Sequence, residues 1–473
     1  QQVSAQQLLR GGIQPARLNF QVQQPPAAPV AAGAFYSLPV FSEPVETPEQ
    51  AEARQHREKV EATERLRQSV ERGEGYLQAV MGTVLMNGQS RYTVIAKAPL
   101  GVGVFSAVWP CANPDNKLVA LKVIRSQDHF RSYAEQEVAL LRLVAERSAL
   151  DKEGSAQVAC MLDSFVHTSN AGFQHLCMAF EKLESNLREA GKQPLGKVLA
   201  YSKQILVALR YLHDQVGIVH CDVKPDNLLL RWDERSVKLC DFGTARTVDM
   251  LQSVDELQPL FYRAPEVYMG NARGRKIDVW SAACTIYELI VGRILFKTCL
   301  THREVVQSIQ KLRGPIPKEM LQQGRLANLY FSQKGFHPEV GEPVDPEKTF
   351  KKVPMHTEIA PFVDLDMGKQ GKSASDAAKA QLSKLIGRTC VVAAATKKSS
   401  AQSETDKKVK LLGALLDRLM EVNPASRFSA AEAVSHELLQ AVELPPAVDL
   451  QDAPPLPEEA PPPLPPEAPP PQA

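Results

Sequence analysis

The sequence predicts an α+β protein of two lobes with a cleft between them. Three observations carry this. Short alternating, β-branched runs broken by one helical stretch fill residues 91–180. Beyond Asn186 the apolar period becomes helical, and both ends of the chain change composition sharply. An antiparallel sheet with one key helix is expected to form an N-lobe over about 91–180. A mainly helical C-lobe is expected over about 181–443, with an insertion over about 297–410.

Composition sets the bounds. The 473 residues are 44% hydrophobic and 23% charged, ordinary values for a protein with a sizeable core. Lys plus Arg number 55 and Asp plus Glu 54, a formal net charge of +1, so no direct nucleic-acid partner is expected. The eight Cys include no CxxC pair, which argues against a disulfide scaffold or zinc ribbon and fits a reducing compartment. No uncharged apolar run reaches the ~18 residues of a membrane span, so no membrane partner is expected. The sequence opens on Gln1 rather than Met, so a fragment is expected and no targeting signal is read from it.

Element by element, residues 1–46 are rich in Gln, Ala and Pro and predict disorder. From Thr47 a run dense in Glu, Arg and Ala predicts a solvated helix ending near Gly73, so 1–90 reads as a disordered or helical extension. RYTVIAKA, VFSAVWP and KLVALKVIR predict a meander of strands, punctuated by Gly101, Gly103 and the Asn113–Asn116 turn. SYAEQEVALLRLVAE predicts a helix, followed by strands around VACMLDSFVHT and QHLCMAFEKL. Helices are predicted in LGKVLAYSKQILVALRYLHDQ, IDVWSAACTIYELIVG and KLLGALLDRLM, and residues 366–409 read as an irregular insertion. From Pro445 the last 29 residues hold 13 of the 35 Pro, which predicts an extended polyproline II tail over 444–473.

The chemistry gathers in four places. LGVGVFSAV lies between two strands, and Gly101 and Gly103 let the backbone approach phosphates closely. A plain hairpin turn is the alternative. Lys122 ends an apolar strand, where an unpaired ammonium is costly, and Glu137 on the following helix can pair with it and hold it toward a nucleotide's phosphates. Each alone reads rather as an ordinary surface charge. GIVHCDVKPDNLLLR followed by VKLCDFGTA is the specific pattern. Asp222 can accept the proton of an attacking hydroxyl, and Lys224 can neutralise charge on the transferred phosphoryl group. Asn227 and Asp241 supply the hard oxygen ligands that Mg²⁺ wants, whereas His220 reads as a packed structural residue.

With these motifs and Ala264-Pro265-Glu266, the chain resembles eukaryotic protein kinases from about Arg91 to Val442, and the bilobal protein kinase fold is the expectation. FEKLESNLRE, FYRAPEV and the long stretch from Phe296 to Leu411 resemble the CMGC group. VFSAV, SNLRE, a small residue before Asp222, KLCDFG and LRGPIPKEMLQQG resemble its spliceosomal pre-mRNA-processing serine/threonine kinases. The resemblance implies ATP and Mg²⁺ as cofactors, splicing factors as protein substrates, Pro after the acceptor residue, and residence in the nucleus. It makes Phe180 the gatekeeper and gives the backbone of Glu181 and Leu183 to adenine. Leu100, Val108, Ala120 and Leu229 would sandwich the base, and Asn186 would lie near the ribose. Asp278 would brace the catalytic loop, and Arg427 would pair with Glu266.

Three positions depart from the relatives. Cys221 replaces the Arg that grips a phosphorylated activation loop in many kinases. Glu256 stands where CMGC kinases carry an activation-loop Tyr, and is expected to offer Arg263 a fixed, weaker carboxylate, with a solvated loop Glu as the alternative. Pro259 replaces a Ser or Thr whose hydroxyl would bond the catalytic Asp and its Lys, so Asp222 and Lys224 are expected to be held less firmly. A catalytically weak pseudokinase or scaffold is the competing reading. PPLPEEAPPPLPPEAPPP is a candidate ligand for an SH3 or WW-type groove, with a passive solvated tail as the alternative.

Overall fold

A computed structural model describes residues 73–253, 257–297, 299, 301–332, 335–336, 350–363 and 400–445, together with 57, 61, 64–65 and 68–69. The chain divides into two units, 1–65 and 66–473. In the first, Arg57, Glu61, Glu64 and Arg65 are helical, with Arg65 paired to Glu61 one turn back. The readings of residues 1–46, Glu256, 366–399 and the tail beyond 445 lie outside the described residues.

The second unit opens with a seven-stranded antiparallel sheet in the order β1-β2-β4-β5-β7-β6, with β3 paired to β4. The strands are β1 Val84–Asn87, β2 Ser90–Val94, β3 Gly101–Val102, β4 Ser106–Ala112, β5 Leu118–Ile124, β6 Met161–Thr168 and β7 Gln174–Glu181. Strand alternation decides which residues reach the cleft. In β5, Val119, Leu121 and Val123 are buried in the sheet's own core with Trp109, Cys177 and Ala179, which turns Ala120 and Lys122 to the opposite face. Helix α1, Asp128–Glu146, buries Ala134, Val138, Leu141 and Val144 on one stripe, and Glu137 lies on that stripe too.

The predicted start of the folded domain at residue 91 is too late. β1 pairs with β2 through an Asn87-Gly88 turn in which Gly88 has φ +60°, and Tyr76, Leu77 and Leu85 are in the core. Four residues are too few for a period-2 pattern to show in sequence.

Two long helices organise the C-lobe, α3 Leu195–Arg210 and α5 Lys276–Val291, after a short α2, Leu187–Ala190. α5 is buried along nearly its whole length, as a central helix must be, with Asp278, Ser281 and Thr285 among its buried residues. The chain widens into a π-turn over Tyr211–Val216 and stops at Gly217, whose φ of +84° favours glycine, before entering the catalytic loop.

The described residues within the predicted insertion over 297–410 belong to the lobe. After α4, Pro265–Met269, and α5, helix α6, His302–Arg313, buries Val305, Val306 and Ile309 behind a Thr301–Glu304 capping box. Helix α7, Met355–Val363, packs on α8, Ser400–Leu419, so residues 400–409 are helical rather than irregular. A Cβ on Gly413 would lie 2.4 Å from the His356 backbone, so glycine permits the close crossing of these two helices.

Candidate active site

The cleft floor and roof come from strands whose other faces are in the cores. Val108 lies opposite Lys122 across β4 and β5, Ala120 lies opposite Phe180 across β5 and β7, and Gly101 pairs with Val108. Leu100 donates its N–H to the Val108 carbonyl at 2.7 Å and is half exposed at the rim. From below, Leu229 is the half-buried middle residue of β8, Leu228–Leu230, between two buried leucines. Leu229 bridges to Asn186, whose side chain caps α2 by accepting the Glu189 N–H and donating to its carboxylate. The side-chain amide that the resemblance placed near a ribose is thus used as a cap.

Leu183 is buried after the Phe180–Glu181–Lys182 crossing, and its carbonyl accepts Lys182 Nζ at 2.7 Å. The Glu181 side chain faces away to Lys238 in β9, Val237–Leu239, at 2.7 and 2.9 Å, and also accepts the Cys160 N–H. This ion pair between two nearly buried groups is a tie between the lobes that no local spacing in the sequence signals.

Lys122 Nζ meets both oxygens of Glu137, at 2.7 and 2.9 Å, and lies 3.4 Å from Asp241 Oδ1. Burial opposes the ammonium charge, but the carboxylates of Glu137 and Asp241 outweigh it and hold the lysine above its usual range. Desolvation on its cleft side opposes ionisation of the half-exposed Asp241, but Lys122, His220 and the Gly243 N–H together hold its carboxyl below the usual range. Asp241 takes a left-handed backbone, φ +64°, while the next residue, Phe242, turns into the core against His220.

Asp222 Oδ2 accepts Lys224 Nζ and Asn227 Nδ2, each at 2.8 Å. Its Oδ1, like Asn227 Oδ1, has no hydrogen-bond partner among the described residues. Both oxygens are therefore available to a ligand. Among the described residues no three His, Cys, Asp or Glu could hold a metal by themselves. Asn227, Asp241 and a polyphosphate would share one, the usual arrangement for Mg²⁺, so the residues present fit that cation.

Positioning runs through Asp278 of α5. Its carboxylate accepts the backbone N–H groups of His220 at 2.7 Å and Cys221 at 2.9 Å and bonds His213 Nε2 at 2.9 Å. Arg427 forms a fork on Glu266 at 2.7 and 2.8 Å. Both pairings match the sequence expectation. A third network was not foreseen. Arg188 of α2 donates to Asp226 in the catalytic loop and to Tyr262, and pairs with Glu288 of α5, which also accepts the Tyr262 hydroxyl. These partners lie 38 to 100 residues from Arg188, beyond any local motif.

Around Pro259, nothing offers Lys224 a second bond among the described residues, and the Pro259 carbonyl accepts the Tyr262 N–H. Arg263 places Nε and Nη2 on the Gln258 carbonyl, at 3.1 and 2.9 Å, and its guanidinium lies over the Tyr268 ring.

A glycine hairpin above a lysine paired with a carboxylate, with a loop carboxylate that keeps one unpartnered oxygen, is the equipment of a nucleotide-dependent phosphotransferase. Residues 94–439 match the family described as protein kinase domain. The chain is 32% identical over 330 residues to serine/threonine-protein kinase SRPK of Physarum polycephalum, covering 55% of this chain and 75% of that one. It is 32% identical over 266 residues to serine/threonine-protein kinase prp4 of Schizosaccharomyces pombe, covering 54% of this chain and 53% of the relative. With serine/threonine-protein kinase prpf4B of Dictyostelium discoideum it shares 26% identity over 376 residues, 78% of this chain and 41% of the relative. The chain belongs to the protein kinase family, and its relatives place it with the serine/threonine kinases of the CMGC group. Among the described residues no helix is long and apolar enough to cross a membrane.

Proposed function

We propose that this chain transfers the γ-phosphoryl group of ATP, with Mg²⁺, to serine and threonine hydroxyls of splicing factors in the nucleus. The observation that carries the reading is the joined pair of clusters, Lys122–Glu137–Asp241 across the lobes and Lys224–Asp222–Asn227 on the loop below. The names of the SRPK, prp4 and prpf4B relatives support the substrate class.

In this reading Lys122, held by Glu137, engages the α- and β-phosphates, and Leu100, Val108, Ala120 and Leu229 enclose the adenine. Phe180 closes the back of that site. The Glu181 carbonyl and the Leu183 N–H face the base, and Gly101 and Gly103 cover the phosphates. Asn227 and Asp241 hold the cation, which when bound neutralises phosphate charge. Asp222 Oδ1 accepts the hydroxyl proton as the new O–P bond forms and the β–γ bridging bond breaks, with ADP leaving. Lys224 offsets the charge on the moving phosphoryl group.

The Gln258 carbonyl, in left-handed backbone at φ +65°, is occupied by Arg263. A substrate with Pro after the acceptor brings no N–H and loses no bond there, which supports a preference for Pro. The PPLPEEAPPPLPPEAPPP composition supports a separate proposal, that the tail binds an SH3 or WW-type groove. Pull-down with and without the residues from Pro445 onward tests it.

Phosphosite mapping of nuclear extract after adding the chain or its Asp222→Asn variant tests the main reading. Splicing-factor sites should rise only with the unaltered chain; an identical map from both would end the proposal. Pro259→Ser should raise turnover by restoring a hydroxyl to Lys224, and an unchanged kcat would show that this bond is not limiting.

A further inference from the structure

The segment ahead of β1 reaches the back of the glycine loop. Tyr76 is 4% exposed although it precedes β1, and its hydroxyl donates to the Gly103 carbonyl at 2.7 Å with Val104 O at 3.4 Å. The Arg125 guanidinium lies between the rings of Tyr76 and Phe130, 4.6 and 4.7 Å from their centroids. It donates through Nη1 to the Val104 carbonyl at 2.9 Å and through Nε and Nη2 to the Glu74 carbonyl at 2.9 and 2.5 Å. Ser126 donates its N–H to the Gly75 carbonyl at 2.8 Å, and Phe105 at the loop tip meets Phe130 edge-on at 5.4 Å. Gly75 has φ +78°, a left-handed backbone that favours glycine.

A loop carrying two glycines, with Val104 and Phe105 each 54% exposed, has little of its own to fix its height over the cleft. Here two successive carbonyls, Gly103 and Val104, are engaged from behind by Tyr76 and Arg125. The same arginine lies just ahead of α1, and Phe130 lies in the first turn of that helix, which carries Glu137. We propose that Tyr76 and Arg125 are positioning residues that brace the phosphate loop in its closed position and link it to α1. The proposal rests on the reading of the cleft as an ATP site. The brace acts on the loop and not on the hinge, so it should matter for the phosphates and not for the base.

Tyr76→Phe keeps the ring and deletes the single hydroxyl. Its affinity for a non-hydrolysable ATP analogue with Mg²⁺ should fall about three- to tenfold, the effect of one lost hydrogen bond. Its affinity for adenosine, which has no phosphates, should not move. Arg125→Gln should shift the same ratio in the same direction, and KM for ATP should rise more than kcat falls in both. Equal weakening of both ligands would mean general damage and overturn the brace, as would no change in either. If the unaltered chain fails to bind the ATP analogue more tightly than adenosine, the nucleotide reading itself fails.

Discussion

Asp222→Asn should lower phosphate transfer to a protein substrate by about a thousandfold, within the range typical for loss of a general base. Nucleotide affinity should change little, because in the proposed reading Asp222 serves the hydroxyl and not the triphosphate. Amide replacement keeps a carbonyl oxygen for Lys224 and removes the group that takes the proton. Incorporation of labelled phosphate into a basic protein, with parallel measurement of ATP affinity, checks both halves. A drop of less than tenfold would mean that Asp222 is not the base. Asp241→Asn in the same assay removes the proposed metal ligand instead, and should raise the Mg²⁺ concentration needed for half-maximal activity. A pseudokinase would show no incorporation above either variant.

Glu266→Ala should cost about 3–5 kcal/mol of stability, the range for removing one partner of a buried ion pair. Glu266 and Arg427 are each 1% exposed, and the guanidinium cannot shed its charge. Arg427 also donates to the carbonyls of Glu421, Lys276 and Val422 and lies 5.2 Å from the Trp280 ring centroid. Those acceptors should keep the loss toward the lower end. Urea denaturation gives the value, and pairing Glu266→Gln with Arg427→Met should recover part of it, because no uncompensated charge then remains. A cost below about 1 kcal/mol would show that the carbonyls alone satisfy Arg427. Because Glu266 follows the activation segment, activity should fall along with stability.

The site residues were legible because their chemistry is written into short spacings. Asp222, Lys224 and Asn227 lie on one loop, and Lys122 sits on a strand whose alternation sends it to the cleft. The sheet and the long helices α1, α3 and α5 were legible for the same reason, since each repeats its period several times. β1 was not, because four residues carry no period. Helices α6 and α7 were read as insertion, because a single amphipathic helix does not announce which core it joins. Asn186 shows the limit from the other side. Its position was anticipated, yet its amide is used as a helix cap, which depends on the geometry of the following turn.

By itself the amino-acid order determined the class of chemistry, since hard oxygen ligands, a base and paired cations at fixed spacings leave few alternatives. Only the tertiary structure decided what holds those groups in place: Asp278 beneath the loop, Arg188 joining Asp226 to Glu288, Lys238 on Glu181, and Tyr76 with Arg125 behind the glycine hairpin. The physical reason is range. A catalytic loop is fixed by neighbours in sequence, whereas a buried charge or phenol is satisfied by whatever folding brings within about 3 Å, and those partners come from tens to more than a hundred residues away.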